Sequence, residues 1–271
     1  MRKFLIITAS FFLVKITVAQ ELFVFTEPAS NMPAKSVGVR LMNMLGTEGS
    51  NNKMNYHLMP EIMVGINNKF MFHAQGFLSN VNNSFVAEGG AIYAKYRFIS
   101  KDEVHQHFRM AAFGRASYNN ALLHQEEIET MGHNSGFEGG IIATQLLHKV
   151  ALSSSISLEK AVFNNVEVKP TTQPNSAINY TFSVGKLMLP KEYISYKQTN
   201  INLMLEFLGQ KLVGSNKNYL DIAPSIQFII NSTARVDLGY RTQILGNIDR
   251  TSSTTYIIKL EYNFFDAWKS K

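Results

Sequence analysis

Cysteine is absent from all 271 residues. That excludes a disulfide framework, a thiolate metal site and a thiol nucleophile. It also removes the acylated cysteine that a lipoprotein carries after its leader. A second absence is as informative: no run after Val18 reaches the eighteen or so apolar residues of a membrane helix. No phosphate-cradling loop or dinucleotide fingerprint occurs, so no nucleotide cofactor is expected. A basic patch is missing too. The formal charge of +6 falls to about +3 without Arg2, Lys3 and Lys15, and the remaining cations are scattered among acids. A nucleic-acid partner is therefore not expected.

Those three cations belong to what reads as a secretory leader. Arg2 and Lys3 form a basic start, Phe4–Val14 is apolar apart from small hydroxyls, and Thr17-Val18-Ala19 offers small residues for cleavage. The expected organisation is a signal peptide at 1–19, an N-terminal periplasmic segment or plug at 20–35, a barrel at 36–265 and a periplasmic tail at 266–271.

From residue 36 onward the chain alternates apolar and polar side chains in about twelve segments, each roughly as long as a tilted strand crossing an outer membrane. In Asn200–Gln210, Ile201, Leu203, Leu205 and Phe207 share one face; Asn200, Asn202, Glu206 and Gln210 share the other. The predicted strands are Ser36–Met44, Tyr56–Ile66, Lys69–Ser79, Ala87–Ile99, Phe108–Tyr118, Phe137–Leu147, Val150–Glu159, Ile178–Met188, Asn200–Gln210, Tyr219–Ile230, Ala234–Ile244 and Thr255–Phe264. An even count puts both termini in the periplasm. Short connections such as Asn67-Asn68, Leu147–Lys149 and Asn231–Thr233 then fall there, and Leu45–Asn55, Asn119–Gly136 and Lys160–Ala177 fall outside. Ser100–His107 and Leu189–Thr199 read as unusually long periplasmic turns.

Charge placement decides between a membrane barrel and a soluble sandwich. A cation facing mid-bilayer lipid costs roughly 2–4 kcal/mol. Strand parity sends Arg40, Glu61, Lys95, Arg97, Arg109, Arg115, Glu159, Glu206, Asp221, Arg235, Asp237, Arg241, Lys259 and Glu261 to the lumen. Only Glu88, Glu138 and Lys186 fall on the lipid face, each near a strand end. Aromatics form two bands: Tyr56, Tyr118, Phe137, Tyr180, Phe207 and Tyr256 near the outer ends, and Phe70, Phe98, Phe108, Phe228, Tyr262 and Phe264 near the periplasmic ends. The pattern predicts an all-β, up-and-down, antiparallel transmembrane barrel of about twelve strands in the outer membrane. Its partners would be outer-membrane lipid and the barrel assembly machinery, which reads an aromatic-terminated strand such as Tyr256–Phe264.

Pro60 and Pro224 sit mid-strand, where each removes a ladder donor, and predict bulges or lumen-facing water. Glu88-Gly89-Gly90-Ala91-Ile92 is echoed by Glu138-Gly139-Gly140-Ile141-Ile142; strand glycines easing curvature account for the echo.

Thr26-Glu-Pro-Ala-Ser-Asn-Met-Pro-Ala-Lys-Ser-Val-Gly38, leading into the first strand, and Asn179-Tyr-Thr-Phe-Ser-Val-Gly185, with Pro190 after it, resemble the outer-membrane barrels grouped as transporters of the MetA pathway of phenol degradation. The likeness covers nearly all of the chain after the leader. It implies an outer-membrane location and passage of small organic solutes, without implying phenol.

Candidate chemistry centres on the lumen charges. Arg235, Asp237 and Arg241 on one strand face Lys259 and Glu261 on the next, a ladder that would either select small solutes or plug a small barrel with ion pairs. Glu27–Lys35 would form a constriction or a plain leader to the barrel; the residues leave both open. His133 and Ser135, with Asn134 or Glu138, have the spacing of an outer-membrane lipid hydrolase, but the spacing is common and no orienting third group is placed, so no enzyme is expected. His124, Glu126, Glu127 and Glu129, and likewise His105 and His107, fit no closed metal-ligand set and read as solvated loop faces. His57 and His73 are expected inside, beside Glu61.

Overall fold

The computed structural model describes residues 23–47, 54–80, 84–103, 106–120, 125–162, 174–192, 195 and 197–268. The predicted leader, His105, His124 and most of the connection that follows Ala161 lie outside the described residues.

Twelve strands run in chain order: β1 (Ser36–Thr47), β2 (Met54–Gly65), β3 (Phe70–Ser79), β4 (Val86–Glu103), β5 (Gln106–Asn119), β6 (Gly136–Leu147), β7 (Val150–Ala161), β8 (Ser176–Leu189), β9 (Asn200–Leu212), β10 (Asn218–Ile230), β11 (Ala234–Gly246) and β12 (Thr254–Phe264). Each pairs antiparallel with its neighbours in sequence, and β12 closes on β1, so the barrel has no free edge. The prediction of an up-and-down all-β barrel holds.

The two faces differ as alternation demands. Mid-strand Ile62, Ile92, Ile156, Leu203, Leu238 and Ile258 are exposed on the outside. On the alternate positions Glu61, Lys95, Glu206, Asp237 and Lys259 are buried inside. An apolar exterior around an ionic interior inverts the arrangement of a soluble protein.

We call the end where β1 begins the near end. Tight connections gather there, including the three residues between paired Ile230 and Ala234, where Asn231 and Ser232 take left-handed φ values of 52° and 57° and Thr233 N donates to Ile230 O (3.1 Å). The long turn expected at Ser100–His107 is instead strand: β4 and β5 stay paired out to Glu103 opposite Gln106. Polar residues on both faces there hide the strand from a hydrophobic pattern.

Three parity and register expectations need correcting. Glu88 is buried inside, hydrogen-bonded with Ser79, not on the lipid face. A bulge between Phe77 and Leu78 skips it in the ladder, and a Cβ on the adjacent Gly89 would lie 2.0 Å from Tyr118 O. Glu138 also points inward, 3.4 Å from Arg115; two glycines and two isoleucines after it carry no polarity signal, so parity was ambiguous from sequence. Lys186 lies outside as expected. Pro60 and Pro224 cause no bulge of their own. Leu58–Leu78 and Glu61–Gln75 keep one register across Pro60, as Ile222–Thr242 and Ser225–Gly239 do across Pro224. Each proline drops ladder pairs on one side and faces outward.

Candidate functional site

Two non-strand segments enter the barrel, and inward side chains hold each by its backbone. The first is residues 23–35. The Glu206 carboxylate, fully buried on β9, accepts hydrogen bonds from Val24 N (2.9 Å), Phe25 N (3.0 Å), Thr26 N (2.8 Å) and Thr26 Oγ1 (2.7 Å). Lys259 donates to Val24 O from β12. Lys95 Nζ donates to Pro28 O (2.7 Å) and Ser30 O (2.8 Å) from β4, and Ala29 N donates to Thr144 Oγ1 (2.9 Å) on β6. Phe23 and Val24 pack on Met42, Met204 and Ile257 of the wall. A peptide in extended form cannot satisfy its own amides, so buried wall groups must do it.

The second segment is 125–135, between β5 and β6. Gln210 grips Ile128 through both backbone groups, accepting from its N (3.1 Å) and donating to its O (2.6 Å). Glu159 accepts from Thr130 N and Oγ1. Arg250, from the β11–β12 connection, donates to Glu127 (2.9 Å) and to Asp221 (2.8 Å), and lies 4.0 Å over the Tyr219 ring. Arg241 joins Asp221 at 2.6 Å.

Between the segments lies a cavity of about 190 Å³. The barrel wall around it is organised in rows, because residues opposite each other on adjacent strands stand at one level. One row reads Glu61, Arg40, Glu261, Arg235 across β2, β1, β12 and β11. Signs alternate, with contacts of 3.0, 2.8 and 2.9 Å. A second row reads His73, Tyr93, Arg115, Glu138, Glu159 across β3 to β7. Glu27 of the N-terminal segment reaches Arg40 at 3.2 Å and Lys95 at 3.5 Å. Burial alone would raise its carboxyl, but Lys95 and Arg40 outweigh that and hold it well below the usual range.

Of the fourteen residues expected to line the lumen, Arg40, Glu61, Lys95, Arg109, Glu159, Glu206, Asp221, Arg235, Asp237, Lys259 and Glu261 are buried inside. Arg97, Arg115 and Arg241 are half-buried on the same inner face. The ladder forms in part. Arg235 meets Glu261 and Asp237 (3.1 Å), but Lys259 turns to Val24 O and Arg241 pairs with Asp221 on β10. Arg109 reaches Asp102 (2.8 Å) and Ser30 Oγ (2.8 Å), tying the near-end hairpin to the N-terminal segment.

His73 sits beside Glu61 at 2.5 Å, as expected. His57 does not; its ring is 5.0 Å from that of His133. His133 Nδ1 is 2.6 Å from Glu129, while Ser135 Oγ donates to Asn119 O (2.9 Å) and accepts from Asn119 N (2.9 Å). Those partners do not make Ser135 the hydroxyl activated by His133. Nor is the 126–129 stretch a solvated face: Glu127 is 4% exposed and ion-paired with Arg250. His107 bonds Asp102 at 2.9 Å. Glu127, Arg250 and Tyr219 carried no strand-parity signal as site residues. Glu127 and Arg250 lie in connections, and Tyr219 opens its predicted strand without a charge to mark its face.

Fold and lining together describe a porin-like β-barrel with two infolded segments. No family model and no curated protein matches the chain. Solved structures share the architecture. An outer membrane channel from Pseudomonas putida F1 is 8% identical, with 89% of this chain and 100% of that one covered at a TM-score of 0.58. The NanC porin is 9% identical, with 83% and 98% covered at a TM-score of 0.51.

Proposed function

We propose that the protein is an outer-membrane channel for passive passage of a small solute, its long connections outside and both termini in the periplasm. A buried ionic interior around a cavity, inside an apolar exterior, is the observation that carries this reading. The lumen charges set which solutes pass, and residues 23–35 and 125–135 narrow the route to one chamber. The likeness of residues 26–38 and 179–185 to the MetA-pathway transporters belongs to the same reading, as does the cleavable leader. Single-channel recording in planar bilayers tests it. A small, steady conductance should appear, and its ion preference should shift when Arg235 or Arg241 is neutralised. Absence of current under all conditions would defeat it.

A closed structural or surface-interaction barrel is the second reading. It is favoured by the number of wall groups bonded to the infolded backbone, and the same recording separates the two.

A further inference from the structure

The row on β3 to β7 ends in an imbalance. Glu138 and Glu159 face each other directly across β6 and β7, an arrangement that destabilises unless a cation joins them. Arg115 stands 3.4 Å from Glu138 and 5.5 Å from the Tyr93 ring, so it serves the Glu138 side. The chamber's other carboxylates each have a cation or imidazole: Glu27 has Lys95, Glu61 has Arg40, Glu127 has Arg250 and Glu129 has His133. Among the described residues, Glu159 has no cation within ion-pair distance. It is 4% exposed and held by neutral donors alone, Thr130 N (2.5 Å), Thr130 Oγ1 (2.7 Å) and Asn179 Nδ2 (2.6 Å).

A second, independent feature faces the same space. Tyr93, 6% exposed, lines the chamber, and among the described residues its hydroxyl finds no hydrogen-bond partner. A buried hydroxyl without a partner forfeits a hydrogen bond it would make with water, so such groups mark places where something else supplies one. A buried carboxylate without a counter-charge poses the same question more sharply.

We propose that the chamber contains a subsite for a small organic cation, with Glu159 as its counter-charge and Tyr93 supplying the hydrogen bond to the solute's polar group. The assignment rests on the passage reading and names the solute class it would favour. At about 190 Å³ the space is below the ~300–1,000 Å³ of pockets for drug-sized ligands. The solute is therefore a compact amine or quaternary ammonium, not an oligomer. Apolar wall from Met42, Ile142 and Ile257 suits its carbon skeleton.

Choline and its uncharged carbon isostere, in which tert-butyl replaces trimethylammonium, separate charge recognition from shape. Calorimetric titration of the full chain, folded in detergent at neutral pH, should show choline binding at least about tenfold tighter than the isostere. Glu159→Gln should weaken choline about tenfold or more and leave the isostere unchanged, and Tyr93→Phe should weaken choline severalfold. Exposed Glu192→Gln should bind as the parent does. A heat-dependent gel shift verifies folding; if Glu159→Gln fails it, Tyr93→Phe carries the test. Equal affinity for the two probes, no choline binding, or full binding by Glu159→Gln would overturn the assignment. Conductance without choline binding removes the subsite and leaves the passage reading; choline binding without conductance does the reverse.

Discussion

Glu206 is the residue on which the docking of the N-terminal segment depends most. Its two oxygens receive three consecutive backbone amides and the Thr26 hydroxyl from that segment, and a longer bond from Ser183 Oγ (3.4 Å) on the wall, in a site with no exposure. Glu206→Gln keeps the shape but turns one acceptor oxygen into a donor. Two of those bonds are lost and donor meets donor. Hydrogen bonds to a charged group contribute about 1.5–3 kcal/mol each, so the docked state should weaken by roughly 3–6 kcal/mol. That corresponds to about a 10²–10⁴-fold rise in the undocked population. Lys259 and Lys95 still hold Val24 O, Pro28 O and Ser30 O, which favours the lower part of that range. Because the chain has no cysteine, Val24→Cys gives a single thiol at a position 1% exposed. Its rate of reaction with a membrane-impermeant maleimide tracks the open population. Adding Glu206→Gln to Val24→Cys should accelerate labelling at least about a hundredfold. A rate within about twofold of the Val24→Cys parent would refute the reasoning.

Further predictions follow from the lining and the exterior. Arg235→Ala leaves Asp237, which has no exposure, without its guanidinium; the barrel should lose about 3–5 kcal/mol in urea unfolding from lipid vesicles. Ile156→Lys places a cation on the outer face mid-strand, where Ile156 is 58% exposed. It should cost about 2–4 kcal/mol in vesicles and little in the charge-tolerant micelle surface. Arg250→Ala severs Glu127 and Asp221 at once, and the 125–135 segment should become susceptible to protease in the folded barrel. Docking of that segment should also depend on pH. Burial would lower His133, but Glu129 2.6 Å away outweighs it and raises the imidazole above its ordinary 6.5. Burial would raise Glu129, yet His133 draws it down to about 2. Glu129 therefore contributes above pH 4.5 and loses its contribution as pH falls toward 2; His133 contributes below 6.5 and loses its contribution as pH rises through its raised value. Glu127 and Glu88 add to the pull on His133 and Arg241 and Arg250 to that on Glu129, while His57, its ring 5.0 Å from that of His133, opposes a charged imidazole there. Protease protection of 125–135 should peak between about pH 4.5 and 6.5, and His133→Gln should flatten the alkaline limb.

Strand number, up-and-down order and the inner or outer face of most residues are local properties, set by a two-residue period. That is why Ile201, Leu203 and Leu205 could be assigned outward without coordinates, and why Arg40, Glu61, Lys259 and Glu261 could be assigned inward. The period gave no purchase where it falters. A bulge turned Glu88 inward, the glycines and isoleucines after Glu138 left its inward parity unmarked, and polar residues on both faces concealed the end of β4. Nor does it reach across the barrel. That Glu206 would meet Val24, 182 residues away, or that Arg115, Glu138 and Glu159 would share one level, depends on strand register and stagger summed around a closed sheet. Alternation along one strand determines which side a residue faces. Only closure of all twelve, with two segments folded inside, decided which residues face each other.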